Sequence, residues 1–178
     1  MKIGVVGDSH RNIEYLRMAA QLLKDEGVKE IIHLGDEYDD AEVLGEFGVN
    51  VTRVPGVFDS HYRDPRVANR LIRDIGGWRV LLTHSPRSHE NDLPQDLKPE
   101  DAVAMGEVNV VLYAHTHLPA IEEKGGVLLV NPGHLKTEDR KGAPASFAVL
   151  DFEAGRVKVK IVDLIKRETI RSYEFKGK

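Results

Sequence analysis

The stretch that decides the fold is MKIGVVGDSH, residues 1–10. Its apolar part, Lys2–Gly7, is short and rich in β-branched residues, which is typical of a buried strand. The run ends directly on Asp8 and His10, whose side chains are good ligands for divalent metals. The sequence therefore predicts a buried strand that delivers two metal-binding side chains at its carboxyl end.

The next stretch continues with alternating helical and strand patterns. Apolar residues recur at helical spacing over Ile13–Glu26, which predicts a helix. The pattern then predicts strands at Glu30–Leu34 and Val49–Val54, with a short helix at Asp40–Phe47 between them. This order is βαβαβ, which predicts a parallel sheet with right-handed crossovers.

The second half of the chain is rich in hairpin patterns. Three pairs of strands are predicted, each joined by a short turn that contains glycine: Asn69–Ile75 with Trp78–Thr83, Ala120–Glu123 with Val127–Val130, and Ser146–Phe152 with Arg156–Val162. A short helix, Pro99–Gly106, and a buried strand, Asn109–Tyr113, lie between the first two. We expect an α/β fold in which two mixed sheets pack face to face within a single domain, residues 1–178, with 164–178 as an edge strand or tail.

The composition restricts the partners. The net charge is −4, which argues against an electrostatic grip on an anionic membrane or on nucleic acid other than a small nucleotide. The chain has no cysteine, which excludes disulfides and thiolate ligands and favours a cytoplasmic location. A metal site must therefore use carboxylate, imidazole, amide or backbone groups. The sequence does not predict an oligomeric state.

Each predicted buried strand ends on an Asp or a His. These residues are Asp8, His10, Asp36, Asp59, His84, His115 and His117. In α/β sheets, ligands bind outside the carboxyl ends of the strands. A lone histidine is usually a surface residue, and an aspartate after a strand often caps a helix. Burying Asp8, Asp36 and the four histidines together without a cation would be costly, so these six residues together predict a metal site.

The spacing of the predicted ligands supports the same interpretation. Asp8 and His10 are two residues apart, as are His115 and His117, and extended backbone points such residues to one side. Glycines 7, 35 and 56 allow sharp turns and close approach of the backbone. Imidazole combined with carboxylate suits Mn, Ni, Fe, Co or Zn.

With these motifs in view, the sequence resembles the calcineurin-like metallophosphoesterase superfamily, in particular its small prokaryotic phosphodiesterase branch. The matching motifs span nearly the whole chain: Gly7-Asp8-Ser9-His10, Gly35-Asp36, Thr83-His84, Ala114-His115-Thr116-His117 and Asn131-Pro132-Gly133. The resemblance implies a four-layer α/β/β/α sandwich. It also implies that a small phosphodiester, or a phosphomonoester, is hydrolysed by a hydroxide held between two divalent metal ions, with manganese among the suitable metals.

The resemblance also implies a role for each predicted ligand. It assigns Asp8, His10 and His117 to the first ion, His84 and His115 to the second, and Asp36 to both.

One segment departs from the family pattern. The family has an asparagine that binds the second metal after the third strand, whereas this sequence reads Gly56-Val57-Phe58-Asp59, and valine cannot bind metal. Three alternatives follow. Asp59 or His61 substitutes as ligand or proton donor, with Asp59 as the predicted catalytic residue; or the second metal binds weakly; or the protein is a metal-binding scaffold or interaction module with little or no catalysis.

Five further residues have less specific patterns. For Phe58, core packing is the favoured interpretation, and for His89, in a polar loop, it is solvent exposure. His134 either faces the site or lies in a surface turn. His33, in a buried strand, is a satisfied core histidine or a hydrogen-bonding support for the ligands. Asn12 caps a helix or contacts the substrate.

Overall fold

The computed structural model describes residues 1–177. The strands are β1 (Lys2–Val6), β2 (Glu30–His33), β3 (Asn50–Arg53), β4 (Arg70–Ile75), β5 (Trp78–Thr83), β6 (Val110–Leu112), β7 (Ala120–Lys124), β8 (Val127–Asn131), β9 (Ser146–Glu153), β10 (Arg156–Asp163) and β11 (Thr169–Lys176). The α-helices are α1 (Ile13–Asp25) and α2 (Pro99–Ala104), and 3₁₀ helices cover Tyr38–Phe47 and Ser60–Arg63.

The strands form two mixed sheets. The first has the order β11-β10-β9-β1-β2-β3, and the second has the order β4-β5-β6-β8-β7. Strands β1, β2 and β3 are parallel neighbours, as are β5, β6 and β8. In the first sheet the parallel strands lie at one edge and the antiparallel strands at the other, whereas the second sheet has a parallel centre and antiparallel flanks. Both sheets are therefore mixed, which confirms the α/β class and the two mixed sheets predicted from the sequence.

Three apolar clusters define four layers. The largest lies between the sheets and includes Val5 of β1 and Val80 of β5. A second cluster packs α1 and the first 3₁₀ helix against the outer face of the first sheet, with Leu16 and Leu44 fully buried. A third packs Ala102 of α2 against the outer face of the second sheet. The predicted α/β/β/α sandwich is therefore confirmed.

The connection from β1 to α1 contains Asp8 and His10 and ends at Asn12, the N-cap of the helix. The Asn12 side chain accepts a hydrogen bond from the Tyr15 N–H, as an N-cap does, and donates to the Leu135 carbonyl at 2.8 Å. Both ends of the amide are thus used within the fold. These contacts are those of a helix cap, one of the two roles predicted for Asn12.

The last strand lies at the edge of the first sheet. Strand β11 pairs antiparallel with β10, and most of its side chains are exposed. Phe175 is the exception: it is buried, and its ring lies 5.5 Å from the ring of Trp78. Lys178 lies outside the described residues. Of the two alternatives predicted for residues 164–178, edge strand or tail, residues Thr169–Lys176 form an edge strand.

No helix among residues 1–177 is both long and apolar enough to span a bilayer.

The single-domain organisation stays a prediction, and Phe175→Ala tests it. Because Phe175 joins the tail to the core between the sheets, its truncation should lower the free energy of unfolding of the whole chain by about 3–5 kcal/mol. Urea unfolding followed by tryptophan fluorescence and by circular dichroism should give one shared, shifted transition. Ile170→Ala on the same strand is the control and should cost much less. Two separate transitions would contradict a single domain.

Candidate metal centre

Four of the predicted ligands converge at one place. Atoms of Asp8, His10, Asp36 and His117 that can bind a metal all lie within 4.8 Å of one another. The two imidazole Nε2 atoms, of His10 and His117, are 3.1 Å apart. The His117 Nε2 lies 3.8 Å from Asp8 Oδ1. We refer to these four residues as the first group.

Two further histidines form a second group beside it. His84 Nε2 lies 3.2 Å from His115 Nδ1. The same His84 atom lies 3.5 Å from Asp36 Oδ1, whereas Asp36 Oδ2 lies 3.7 Å from His10 Nε2. The two carboxylate oxygens of Asp36 therefore face different histidine pairs. The structure thus brings together all six residues predicted as metal ligands.

Five of these six residues have left-handed backbone conformations. Their φ angles are 48° for Asp8, 45° for His10, 46° for Asp36, 68° for His115 and 60° for His117. Such angles are uncommon outside glycine and cluster at functional sites. The prediction of extended backbone at both pairs is therefore wrong, although Asp8 and His10 still meet in the first group. His115 joins the second group and His117 the first, because the turn separates their directions.

Two glycines allow Asp36 to reach its position. Gly35 has a φ of 95°, and a β-carbon there would lie 2.4 Å from the Gly56 nitrogen. A β-carbon at Gly56 would lie 1.9 Å from Asp36 Oδ1 and 2.6 Å from the Asp36 nitrogen. Neither position can hold a larger residue without moving backbone, so the glycines act here by close approach as well as by turning.

Asp8 provides the test of whether a cation fits. Its carboxylate is fully buried, and among residues 1–177 its Oδ2 has no hydrogen-bond partner. Burial, and secondly the nearby charge of Asp36, raises the pKa of Asp8 well above its usual value. An orphaned buried carboxylate among imidazoles is what a divalent cation would satisfy, and the oxygen and nitrogen donors suit borderline metals.

Hydrogen bonds orient two of the imidazoles toward the site. His84 donates its Nδ1–H to the Leu34 carbonyl at 2.7 Å, which leaves the Nε2 lone pair facing Asp36 and His115. Burial lowers the pKa of His84 to about 4, so this ring is neutral near pH 7. His117 donates its Nδ1–H to Asp139 Oδ2 at 2.6 Å, which leaves its Nε2 for the first group.

Asp139 is a residue that the sequence did not reveal. Its side chain is nearly buried, and it also accepts hydrogen bonds from Lys136 Nζ and the Lys141 N–H. Although its own burial opposes the shift, these bonds hold the pKa of Asp139 well below its usual value, so it is ionised. A carboxylate behind a metal-binding histidine fixes the tautomer and orientation of the ring. Asp139 follows no strand and belongs to no motif.

His33 supports the site from inside the first sheet. Its Nδ1 accepts the Gly35 N–H at 3.2 Å, so its Nε2–H donates to Ser9 Oγ at 3.0 Å. Ser9 in turn donates to Asp40. Burial lowers the pKa of His33 to about 3, so the ring is neutral. His33 is thus both satisfied in the core and bonded to residues that flank the ligands.

His134 is buried rather than part of a surface turn. Its Nε2–H donates to the Ala143 carbonyl at 3.0 Å, and its Nδ1 accepts the Lys136 N–H at 3.0 Å. Although its ring lies 5.7 Å from that of His117, both nitrogens are used within the loop. This arrangement does not leave His134 a free lone pair for a metal.

In residues 56–59, the segment that departs from the family pattern, the burial of the side chains differs from the prediction. Val57 is buried, as a core residue would be, but Phe58 is 71% exposed. The prediction that Phe58 packs in the core is wrong, because Val57 occupies the inward position and the turn directs its neighbour outward. The Phe58 ring centroid lies 5.4 Å from that of His89 and 6.4 Å from that of His115. His89 is half-buried beside the site rather than solvated.

The two residues proposed as substitutes for asparagine have other contacts. Asp59 Oδ2 accepts the Gly56 N–H at 2.5 Å, and burial raises the pKa of Asp59 to about 6. His61 Nε2 lies 3.6 Å from Asp39 Oδ1, and its ring packs against Tyr38. Asp59 is thus hydrogen-bonded to Gly56, the residue that packs against Asp36, and His61 lies beside Tyr38 and Asp39.

A family model described as the calcineurin-like phosphoesterase superfamily domain matches residues 1–155. The chain belongs to this superfamily. The match confirms the family predicted from the sequence and, with it, the class of enzyme, a metallophosphoesterase.

Individual relatives support the small prokaryotic branch. Phosphodiesterase MJ0936 of Methanocaldococcus jannaschii is 29% identical over 147 residues, 75% of this chain and 83% of the relative. Phosphodiesterase YfcE of Escherichia coli K12 is 27% identical over 169 residues, 85% and 88% of the two chains.

Solved structures show the same fold. The E. coli YfcE structure has a TM-score of 0.73 at 23% identity and covers 98% of this chain and 100% of its own. Vps29 of Chaetomium thermophilum has a TM-score of 0.76 at 16% identity over 100% of both chains. This chain therefore shares its fold with both YfcE and Vps29. The fold alone does not show which of the two it resembles in function.

Asp139→Asn tests the support of His117 in this phosphoesterase. The amide can present its NH₂ to the ring and loses the charge that orients it, so we expect the metal at the first group to bind about 10- to 100-fold more weakly. Competition of Mn²⁺ with a fluorescent chelator measures this. Glu138→Gln, an exposed neighbour, is the control and should leave the affinity unchanged. Equal affinities for Asp139→Asn and the parent chain would refute the role.

Because His33 is buried and neutral, the stability of the metal-free protein should depend on pH. Because the folded state keeps His33 neutral down to about pH 3, only the unfolded chain takes up this proton below about pH 6.5. Stability should therefore fall as the pH drops from about 6.5, by at most about 1.4 kcal/mol per pH unit from this group.

His33→Gln removes this contribution. In urea titrations with a chelator at pH 6.5, 5.5 and 4.5, the variant should show a shallower loss of stability than the parent chain. The remaining slope includes contributions from His10, His84, His115 and His134, whose pKa values burial also lowers. An unchanged slope would show that His33 is not the neutral group described.

Proposed function

We propose that this metallophosphoesterase hydrolyses a small phosphodiester at a dinuclear metal centre. The observation that carries the proposal is the position of Asp36. Its Oδ2 faces the first group through His10, at 3.7 Å, and its Oδ1 faces the second group through His84, at 3.5 Å. A carboxylate between two sets of imidazoles is the arrangement that two ions sharing one ligand would need.

The proposed ligands divide as the geometry of the groups suggests. Asp8, His10 and His117 would hold the first ion, His84 and His115 the second, and Asp36 both. When bound, two divalent ions of Mn, Ni, Fe, Co or Zn supply Lewis acidity and a hydroxide nucleophile for hydrolysis of the ester. The second ion has fewer side chains than the first, because Val57 stands where the family has asparagine.

The residues of the chain prepare the site for this chemistry. The Leu34 carbonyl and Asp139 fix two imidazoles with a lone pair directed inward. The backbone turns at Asp8 and Asp36 bring both carboxylates against those rings. The ligand side chains are thus oriented before any ion binds, which reduces the reorganisation that binding requires.

Asp59 is our proposed catalytic residue in the altered segment. Burial raises its pKa to about 6, close to the range where a carboxyl group can exchange protons near neutral pH. Its Oδ2 is held by the Gly56 N–H, next to the backbone that contacts Asp36. We propose that Asp59 acts as the proton donor to the leaving group.

The second candidate function is a metal-binding interaction module with weak or no catalysis. The buried Val57 and the exposed Phe58 favour it, because this segment has lost a ligand and gained an apolar surface. The fold likeness to Vps29 is compatible with such a role. In this case the chain would bind metal at the first group and would not hydrolyse esters.

Metal stoichiometry and turnover together test the proposal. We expect two Mn²⁺ per parent chain, about one for His10→Asn and for His84→Asn, and fewer than one for Asp36→Asn, because only Asp36 serves both groups. Elemental analysis after gel filtration gives the count, with Glu138→Gln as control. Hydrolysis of bis(4-nitrophenyl) phosphate should be lost in all three ligand variants. A parent chain that holds about one Mn²⁺ and shows no turnover would support the interaction module instead.

Three variants in or next to the altered segment distinguish the alternatives for Val57. If Asp59 donates a proton, Asp59→Asn should lower kcat about 100-fold, within the range of general acid catalysis, and leave metal content at two. If Asp59 or His61 is instead a ligand, Asp59→Asn or His61→Asn should lower the metal content. Val57→Asn should raise activity if the second ion binds weakly.

A further inference from the structure

The exposed ring of Phe58 lies beside the second group of ligands. Single exposed apolar residues are common on proteins and need no explanation by themselves. Phe58 differs because its ring meets two imidazoles, His89 edge-on at 88° and His115 at 39°. The aromatic rings thus form a continuous rim on one side of the site, and most of the Phe58 surface faces solvent.

The rim is held by a buried polar network. His89 is fixed on both sides, because its N–H donates to Asp92 Oδ2 at 3.0 Å and its Nδ1 accepts the Asn91 N–H at 3.2 Å. Asp92 is paired with Arg70 at 2.9 Å, and the Arg70 side chain is only 1% exposed. Tyr62 also donates to Asp92, at 2.6 Å. Breaking a buried pair of this kind is costly, so the loop that carries His89 is well anchored.

Phe58 is held by the same network from the other side. The Asn91 amide donates to the Val57 carbonyl at 2.9 Å, which ties the loop of His89 to the segment of Phe58. The Asp59 N–H donates to the Gly56 carbonyl at 2.9 Å and closes the turn that presents the ring. The two aromatic residues therefore keep a fixed spacing, as a binding surface requires.

The opposite side of the site is polar. A depression of about 380 Å³ beside the first group is lined by polar residues of both charges, among them His10, Arg11, Lys136 and Glu138. A substrate that spans the site would thus meet an apolar aromatic surface at the second group and polar groups at the first. This asymmetry suits a phosphodiester whose two substituents differ, one flat and apolar and one polar.

We propose that Phe58 and His89 form an aromatic platform that binds a planar aromatic substituent of the substrate phosphate. The inference rests on the proposed function and deepens it: the substrates are aryl or nucleoside phosphodiesters rather than purely aliphatic ones. Phe58 is then a specificity-determining residue. Removing an aromatic side chain that stacks on a base weakens binding by about 5- to 150-fold, which sets the expected scale.

The test compares two ligands that differ only in the aromatic group. Calorimetry measures binding of phenylphosphonate and methylphosphonate to the Mn²⁺-loaded protein. The parent chain should prefer phenylphosphonate by about tenfold, and Phe58→Ala should abolish the preference while leaving methylphosphonate binding unchanged. Phe58→Tyr should keep it. Met105→Ala is the matched control, because Met105 is 73% exposed and lies beyond α2.

A second pair distinguishes the two sources of an aromatic group. Adenosine 5′-monophosphate and ribose 5-phosphate share a phosphate and a sugar, and only the first has a base. A preference for the nucleotide that Phe58→Ala removes supports nucleoside esters, whereas a preference seen only with phenylphosphonate supports simple aryl esters. No preference in either pair, or one that survives Phe58→Ala, overturns the platform.

The outcomes also separate this inference from the proposed function. Hydrolysis of 4-nitrophenyl diesters without any aromatic preference in binding would leave the function intact and remove the platform. Aromatic preference in binding without hydrolysis of any ester would do the reverse.

Discussion

The burial of the Asp8 carboxylate is the constraint around which the site is organised. Three connections meet at this residue: its N–H donates to the Gly35 carbonyl at 2.9 Å, its carbonyl accepts the Leu135 N–H at 3.1 Å, and its Oδ1 accepts the His115 N–H at 3.3 Å. The ends of both sheets are therefore fixed relative to one buried charge. Since Oδ2 finds no partner among residues 1–177, this arrangement is stable only if a cation, or a proton on the carboxyl group, compensates the charge.

Close packing of backbone determines how the second carboxylate joins the first. Asp36 fits only because Gly35 and Gly56 have no side chains, and the same crowding fixes the start of the altered segment. Beyond Gly56 the chain places Val57 inward and Phe58 outward. One turn therefore places an apolar side chain where the family has an asparagine and exposes an aromatic ring next to it. The inward position of Val57 and the outward position of Phe58 are thus physically linked in this chain.

The hydrogen bonds around the predicted ligands all restrict the orientation of side chains at the site. Asp139 and the Leu34 carbonyl each accept a proton from one ring nitrogen and leave the other nitrogen free. His33 and Ser9 connect the ligand turns to Asp40 by hydrogen bonds. Buried groups of this kind lose much if left unpaired, so each one limits the conformations open to its neighbours. The left-handed turns at the ligands persist for the same reason.

By itself, the sequence determined the two mixed sheets, the element order and the six residues that converge, because period-two and helical patterns report local backbone and strand ends share an edge. How the six divide was implied by the family resemblance and not by their spacing, since the direction of His115 and His117 depends on left-handed turns that spacing does not encode. Asp139, and the contact of Phe58 with His89, join residues 22 to 31 positions apart in loops without periodicity. Only tertiary packing brings such residues together, because no local preference of the chain records which loops will meet.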